Sequence, residues 1–271
     1  MSAASLANRL AAREGQLIMA RHVLVTGGGS GIGHTIAATF ANAGDSVCVT
    51  DMDAAALAGC PANWMTIAGD ASDPAHMAEV FARISDEWGT IDVVCANAGI
   101  AGPTALVEDV ELEDFRRCIA VNLEGAFLAA KHAAPMMKAR RSGVILVTSS
   151  MAGVNGFPYR SPYAAAKWAM IGLMKTLAME LGPHGVRVNA IAPGCVEGPR
   201  IDAVIEREAK AKGTTPARVR EAYEAGVSMR SFVSAQDIAN MAFFLASDAA
   251  RLVSGQIMAV DGHTENPDPK V

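Results

Sequence analysis

Short apolar runs alternate along the chain with longer segments in which apolar residues recur every three or four positions. After Pro74, for example, one helical face carries Met77, Val80, Phe81, Ile84 and Trp88. This spacing predicts an amphipathic helix with Asp73 as its N-cap and the proline in its first turn. Further helices are expected at Ile32–Ala43, from about Leu112 to Lys138, at Tyr163–Leu181 and at Ala235–Ala246.

The short runs are continuously apolar, which is typical of strands that are buried on both faces of a sheet. Strands that alternate with helices pair in parallel through right-handed crossovers. The pattern therefore predicts an α/β fold in which helices cover both faces of a doubly wound, seven-stranded parallel sheet. The expected strands are His22–Val25, Ser46–Thr50, Trp64–Ala68, Ile91–Ala96, Val144–Thr148, Val186–Ala190 and Gln256–Val260.

Two segments stand outside this alternation. Residues 199–229 are highly charged and helical in composition, with a break at Gly213–Pro216, and we interpret them as a small helical insertion. Residues 1–20 are Ala-rich and lack the continuous apolar core of a secretory signal. We expect them to form an extension, as a flexible tail, a short helix or the product of an upstream start codon, before a single domain at 21–271.

The composition excludes several classes of partner. A chain of 271 residues is long enough for one well-buried core. Its net charge of −5 offers no basic surface for nucleic acid, and it has no apolar run long enough to span a membrane. Five cysteines without metal-ligand spacing indicate a reducing compartment, no metal site and a cytoplasmic location.

A glycine-rich stretch, Thr26–Gly33, lies between the first expected strand and the first expected helix. Glycines allow the backbone to turn tightly and to approach a pyrophosphate, which the N–H groups of the following helix can bind. The stretch does not satisfy GxGxxG, but its place in the first strand–helix–strand unit is the context that a dinucleotide site requires.

The end of the second expected strand predicts which dinucleotide is bound. Asp51 follows Gly33 by eighteen residues, where a carboxylate accepts hydrogen bonds from the adenosine ribose and repels a 2′-phosphate. No arginine or lysine lies between Gly33 and Arg83 to bind that phosphate. We therefore expect NAD(H) rather than NADP(H).

A tyrosine and a lysine, Tyr163 and Lys167, are four residues apart and share one face of a helix. The ordinary pKa of tyrosine is near 10, so the phenol transfers protons poorly at neutral pH unless nearby positive charges lower that pKa. The lysine and an oxidised nicotinamide ring would both supply such charge. The pair is therefore a candidate catalytic group.

The order and spacing of motifs between Arg21 and Asp261 resemble the short-chain dehydrogenase/reductase family. The resemblance rests on a TGxxxGxG loop, an acidic residue before the third helix, an NAG motif, an active-site asparagine, a serine thirteen residues before the tyrosine, YxxxK and PG. The matching residues are Thr26, Gly27, Gly31, Gly33, Asp70, Asn97, Ala98, Gly99, Asn122, Ser150 (rather than Ser149), Tyr163, Lys167, Pro193 and Gly194.

The resemblance implies a Rossmann fold and an oxidoreductase that interconverts a secondary alcohol and a ketone by hydride transfer. Tyr163 would act as general acid and base, and Ser150 would hold the reacting oxygen. Lys167 would bind the nicotinamide ribose and lower the tyrosine pKa, and Asn122 would hold a water of a proton relay. The residues expected at the cofactor are Gly27, Ser30, Gly31, Ile32, Gly33, Asp51, Met52, Asp70, Ala71, Asn97, Ala98, Gly99, Tyr163, Lys167, Pro193, Gly194 and Val196.

Two positions depart from the family pattern. Gly198 stands where the family usually has a threonine that contacts the nicotinamide carboxamide, so that contact is expected from backbone groups near Val196. His263 replaces a glycine, and we interpret it as a solvated residue, with a substrate contact as the alternative. The insertion is expected to cover the site. The substrate, expected to be a small sugar, polyol or hydroxy acid, would contact Ser150, Ala152, Asn155, Tyr159 and Tyr163.

Two alternative functions remain open from the sequence. A 3-oxoacyl-thioester reductase usually prefers NADPH, which Asp51 disfavours, and a dinucleotide-sensing protein without catalysis would not need the intact tyrosine and lysine. The helices expected at 112–138 and 163–181 are apolar on more than one face. They indicate a homo-oligomer, a tetramer or a dimer.

Overall fold

The computed structural model describes residues 20–268. Apart from Ala20, the extension predicted for residues 1–20 therefore lies outside the described part of the chain. Seven strands form one sheet. They are β1 (His22–Thr26), β2 (Ser46–Asp51), β3 (Met65–Ala68), β4 (Val93–Ala96), β5 (Gly143–Thr148), β6 (Val186–Pro193) and β7 (Ile257–Val260).

All neighbouring strands are parallel, in the order β3-β2-β1-β4-β5-β6-β7, which confirms the predicted doubly wound sheet. The chain moves outward from β1 to β3 and then returns to place β4 on the other side of β1. Such a switch leaves a crevice at the carboxyl ends of β1 and β4, where open α/β sheets bind ligands.

Helices cover both faces of the sheet. The described helices are α1 (Gly31–Asn42), α2 (Ala54–Ala58), α3 (Pro74–Trp88), α4 (Leu112–Ile119), α5 (Gly125–Arg140), α6 (Ser161–Leu181), α7 (Pro199–Lys212), α8 (Pro216–Ala225) and α9 (Ala235–Ala246). Buried residues of α1 and α9 pack on one face, and those of α3, α5 and α6 pack on the other. None of these helices is long and apolar enough to cross a bilayer.

The single helix expected from Leu112 to Lys138 is wrong in one respect. A π-helical turn at Ala120–Glu124 separates α4 from α5. Hydrophobic spacing does not reveal such a turn here, because α5 is apolar on more than one face and has no single stripe whose shift would mark the additional residue. Turns of this kind are frequent at functional sites, and this one carries the buried Asn122. The short α2 was also not predicted, since five residues are too few to establish a helical period.

The predicted insertion is two helices, α7 and α8, separated by Gly213 at the end of the first and capped by Thr215 at the start of the second. Its residues Ile205, Ala209, Val219 and Tyr223 form a small core together with Phe232, which follows the insertion. Because this core is separate from the two main clusters, the insertion lies beside the sheet rather than within its layers, as the sequence predicts.

Candidate active site

A cavity of about 620 Å³ lies at the carboxyl ends of the strands. One end is lined by the glycine-rich loop and Asp51, the middle by Asn97–Gly99, and the other end by Tyr163, Lys167 and residues of the insertion. The crevice at the strand switch and the predicted catalytic group are therefore parts of one continuous space.

The glycine-rich loop needs glycine for two different reasons. Gly27 has a φ of 64°, in the left-handed region, and its N–H donates to Thr50 O at 2.7 Å. At Gly33, a Cβ atom would lie 2.0 Å from Gly27 O, so a side chain there would displace the loop. At the start of α1, the Ser30 side chain makes no capping hydrogen bond. The loop can therefore offer backbone N–H groups and this hydroxyl to a phosphate.

Asp51 is held against this loop by two backbone donors. Its Oδ2 accepts from Gly29 N at 3.0 Å, and its Oδ1 accepts from Asp53 N at 3.1 Å. A carboxylate has about four lone-pair sites, so acceptor capacity remains for a ribose hydroxyl. The fixed negative charge also disfavours a phosphate at the same place.

Asp70, the residue expected at adenine, is paired with a cation that sequence reasoning missed. Arg117 Nη1 lies 2.9 Å from Asp70 Oδ2, and Arg117 Nη2 lies 3.6 Å from Met52 Sδ. Hydrogen bonds from Ser72 and the charge of Arg117 hold the pKa of Asp70 below its usual value, although burial alone would raise it. Only the tertiary structure brings an arginine near the end of the cavity that is lined by Asp51 and Asp70, and its charge is compensated by Asp70.

The tyrosine and lysine occupy successive turns of α6. Lys167 Nζ lies 5.5 Å from the centre of the Tyr163 ring and donates to Thr148 O at 2.7 Å. Of the two neighbouring serines, Ser150 lies beside Tyr163 and lines the cavity. Ser149 instead donates to Lys167 O at 2.9 Å and braces the helix.

The charges around Tyr163 favour its ionised form. Burial raises the pKa of a phenol, but Lys167, followed by Arg200 and Arg160, more than offsets this effect, so the pKa of Tyr163 lies below its ordinary value. Burial also lowers the pKa of Lys167. A tyrosine with a depressed pKa can exchange a proton with a bound alcohol or ketone near neutral pH.

Asn122 lies directly behind this group and is fully buried. Its Nδ2 donates to Cys118 O at 2.9 Å and to Ile100 O at 3.1 Å, whereas its Oδ1 has no partner within residues 20–268. A Cβ atom at Gly99 would lie 2.5 Å from this Oδ1 and 3.5 Å from Lys167 Nζ. Glycine at position 99 therefore leaves room for a small hydrogen-bonding molecule between the amide and the ammonium group.

Comparisons with known proteins agree with this geometry. Residues 27–263 match the family described as enoyl-(acyl carrier protein) reductase. The D-beta-hydroxybutyrate dehydrogenase of Rhizobium meliloti (strain 1021) is 33% identical over 257 residues, which are 90% of this chain and 98% of the relative. The 3-oxoacyl-(acyl-carrier-protein) reductase of Thermotoga maritima is 33% identical over 246 residues, 88% and 95% of the two chains. The chain belongs to the short-chain dehydrogenase/reductase family.

A solved structure supports the same conclusion. The structure of NAD⁺-bound xylitol dehydrogenase matches with a TM-score of 0.86 and 30% identity, over 89% of this chain and 98% of that one. As a member of the short-chain dehydrogenase/reductase family, the protein is a nicotinamide-dependent oxidoreductase that acts on hydroxyl or carbonyl groups.

The cavity is lined by all of the residues that are expected to bind the cofactor. Of the residues expected at the substrate, Ser150, Ala152 and Tyr163 do so. Asn155 and Tyr159 do not line it. The Asn155 side chain donates to Met151 O at 3.2 Å, and the Tyr159 ring lies 5.7 Å from Lys212 Nζ. Tyr159 also has a φ of 62°, a left-handed conformation that strand and helix patterns do not predict.

Further cavity residues lie outside the sets expected at the cofactor and at the substrate, although the insertion itself is expected from the sequence to cover the site. They belong to the insertion, to the loop that precedes α6 and to the end of the chain. They include Phe157, Arg160, Arg200, Val204, Tyr223, Thr264 and Asn266. His263 is not among them, because its Nδ1 lies 2.6 Å from Ser228 Oγ outside the cavity.

The loop that contains Gly198 is held by backbone pairing instead of a threonine side chain. Val196 forms a parallel bridge with Val233, in which Glu197 N donates to Val233 O at 2.9 Å and Val233 N donates to Cys195 O at 3.0 Å. Two backbone hydrogen bonds therefore anchor the loop just before Gly198, which has a φ of 131°. The loop therefore keeps an ordered backbone at this wall of the cavity, although Gly198 replaces the usual threonine.

Proposed function

We propose that the protein is an NAD(H)-dependent oxidoreductase that interconverts a secondary alcohol and a ketone on a small polar substrate such as a sugar, a polyol or a hydroxy acid. The observation that carries this proposal is Tyr163, whose side chain faces the cavity with a lowered pKa beside Lys167 and Ser150. A non-catalytic protein would not require three positive charges around one phenol.

Four side chains of the protein take part in the proton transfer that accompanies hydride transfer. A bound nicotinamide dinucleotide supplies the hydride donor or acceptor. During oxidation, Tyr163 takes the proton of the substrate hydroxyl, and Ser150 donates a hydrogen bond to the same oxygen. Lys167 stabilises the ionised phenol. Asn122 positions a water molecule next to Lys167, through which the proton reaches solvent.

The choice of NAD(H) rests on Asp51. Its carboxylate is fixed beside Gly29, and Arg117, which contacts the neighbouring Met52, is already paired with Asp70. A 2′-phosphate at this position would meet the negative charge of Asp51, and Arg117, the cation described beside it, is not free to compensate that charge. Replacement of Asp51 by alanine is expected to raise kcat/KM with NADP⁺ relative to NAD⁺ by more than about tenfold. A wild-type preference for NADP⁺ would refute the argument.

The role of Tyr163 is tested by a matched pair of variants. Tyr163→Phe is expected to lower kcat by about 10²- to 10⁴-fold, the usual contribution of general acid–base catalysis. Tyr159→Phe removes the same hydroxyl from a residue that does not line the cavity, and it is expected to keep wild-type kcat. The substrate for both is found by screening polyols, sugars and hydroxy acids for formation of reduced cofactor. Near-normal turnover of Tyr163→Phe would overturn the mechanism.

The second candidate function is reduction of a 3-oxoacyl thioester, as in the reductase relative from Thermotoga maritima. Asp51 disfavours it because such reductases usually use NADPH. Activity with acetoacetyl thioester and NADPH that exceeds activity with every alcohol and NAD⁺ would favour it. A dinucleotide-sensing protein would bind NAD⁺ but oxidise nothing in the same screen.

We also propose a cytoplasmic homo-oligomer, a tetramer or a dimer. On α5 and α6, the large apolar side chains of Phe127, Trp168 and Met179 are 47%, 51% and 81% exposed, which favours burial against another copy. Light scattering coupled to size-exclusion chromatography gives the state directly. A monomer for the wild type would refute this part of the proposal.

A further inference from the structure

Two arginines face the reacting end of the cavity beside Tyr163. Arg160 is 6% exposed, and its guanidinium lies 4.8 Å from the centre of the Tyr163 ring. Arg200 projects from the start of α7, and its Nη1 donates to Gly99 O at 2.9 Å. Both line the cavity, so together with Lys167 they place three positive charges around one phenol.

Neither arginine forms an ion pair with a carboxylate of residues 20–268. Two carboxylates near this end of the cavity are engaged with other groups. Glu197 pairs with Arg220, and Glu208 accepts from Tyr223 Oη at 2.6 Å and lies 2.9 Å from Lys212. The positive charge at the reacting end is therefore not compensated by the described protein.

The hydrogen bonds of Arg160 are also incomplete. Its Nη2 donates to Ala101 O at 3.1 Å, whereas its buried Nε has no acceptor within the described residues. Burial lowers the pKa of this guanidinium, because removal from water destabilises its charged form. A buried charge without a partner is destabilising unless a ligand completes it. This arrangement is expected of a binding residue rather than of a structural ion pair.

We propose that the substrate carries a carboxylate, which binds to Arg160 with Arg200 as the second positive group. The inference rests on the proposed function and narrows its substrate class to short hydroxy acids and the corresponding keto acids. Because Arg160 lies over the ring of Tyr163, a carboxylate bound to it is only a few bonds from the carbon whose oxygen contacts the tyrosine. Guanidinium groups bind the two oxygens of a carboxylate through paired N–H donors.

The first experiment compares substrates that differ only in this charge. Initial rates with NAD⁺ are measured for 3-hydroxybutyrate and 3-hydroxybutyramide, and for 4-hydroxycyclohexanecarboxylate and its amide. The acids are expected to exceed the amides in kcat/KM by about 100-fold, equivalent to about 2.7 kcal/mol. Arg160→Gln should remove most of this ratio, and Arg160→Lys should restore part of it. Arg140→Gln, at an exposed arginine paired with Asp92, is the control and should retain the ratio.

The second experiment measures binding without turnover. Butyrate, butyramide and butyl phosphate are titrated into the wild-type protein with NADH while cofactor fluorescence is recorded. The Kd of butyrate should be at least about tenfold lower for the wild type than for the Arg160→Gln variant. The Kd of butyramide should be the same for both proteins. Tighter binding of butyl phosphate than of butyrate would overturn the assignment to a carboxylate.

The possible failures can be told apart. Oxidation of neutral alcohols in preference to acids would overturn this inference and leave the proposed function standing. If Arg160→Gln raises KM for NAD⁺ without changing the acid-to-amide ratio in kcat/KM, Arg160 binds the cofactor rather than the substrate. If no alcohol is oxidised with either cofactor, the proposed function fails, and the butyrate titration still decides whether the carboxylate site exists.

Discussion

A methyl group at position 99 would test the space between Asn122 and Lys167. In Gly99→Ala, the new Cβ would lie 2.5 Å from Asn122 Oδ1 and 3.5 Å from Lys167 Nζ. Gly99 is not among the glycines with positive φ, so alanine causes no backbone strain there. The perturbation is therefore confined to one contact and to the space that the proposed proton relay uses.

The magnitude follows from how tightly Asn122 is held. An ordinary contact between carbon and oxygen is roughly 1 Å longer than 2.5 Å, so the amide must retreat by about that amount. It is fully buried, and its Nδ2 is bonded to Cys118 O at 2.9 Å and to Ile100 O at 3.1 Å. Overpacking together with a weakened buried hydrogen bond is expected to cost about 2 to 4 kcal/mol of unfolding free energy.

Two measurements check this expectation. Thermal unfolding should show a Tm lower by roughly 4 to 16 °C, and kcat should fall by at least about tenfold and rise again with imidazole concentration as external base replaces the relay. Gly182→Ala is the control, because nothing lies within 4 Å of its Cβ and its φ is −54°. It should be neutral or slightly stabilising. Wild-type Tm and kcat in Gly99→Ala would refute the reasoning.

Three further predictions concern pH, stability and the loop. For alcohol oxidation, kcat/KM should rise with pH and level off below pH 10, because Tyr163 must be ionised and its pKa is lowered. Since Arg200 helps to lower that pKa, Arg200→Gln should shift the rise to higher pH. An unshifted profile would show that Arg200 does not lower the pKa of Tyr163. Arg21→Met leaves Asp45, whose side chain is 3% exposed, without its ion pair at 2.6 Å. It should lower the unfolding free energy by about 3 kcal/mol in urea denaturation, and an unchanged midpoint would contradict this. Gly33→Ala should abolish NADH binding in a fluorescence titration, since its Cβ would meet a loop carbonyl at 2.0 Å; wild-type affinity would show that the loop adapts.

Local patterns in the sequence predicted most of the architecture. The continuous apolar runs correspond to the seven strands within a few residues, and Asp73 caps α3 as its position before Pro74 indicates. These features depend on neighbours within one turn or one strand, so a linear pattern contains them. The spacing of Tyr163 and Lys167 is predictable for the same reason, since one helix carries both.

Tertiary packing decided the contacts between distant segments. It brought Arg117 to Asp70, placed Arg160 and Arg200 around Tyr163, and turned Tyr159 away from the cavity. Periodicity shows which face of a helix or strand a residue occupies. It does not show which distant loop packs against that face. Sequence alone therefore determined the fold and the candidate catalytic pair, and only the packed structure revealed the uncompensated positive charge on which the substrate proposal rests.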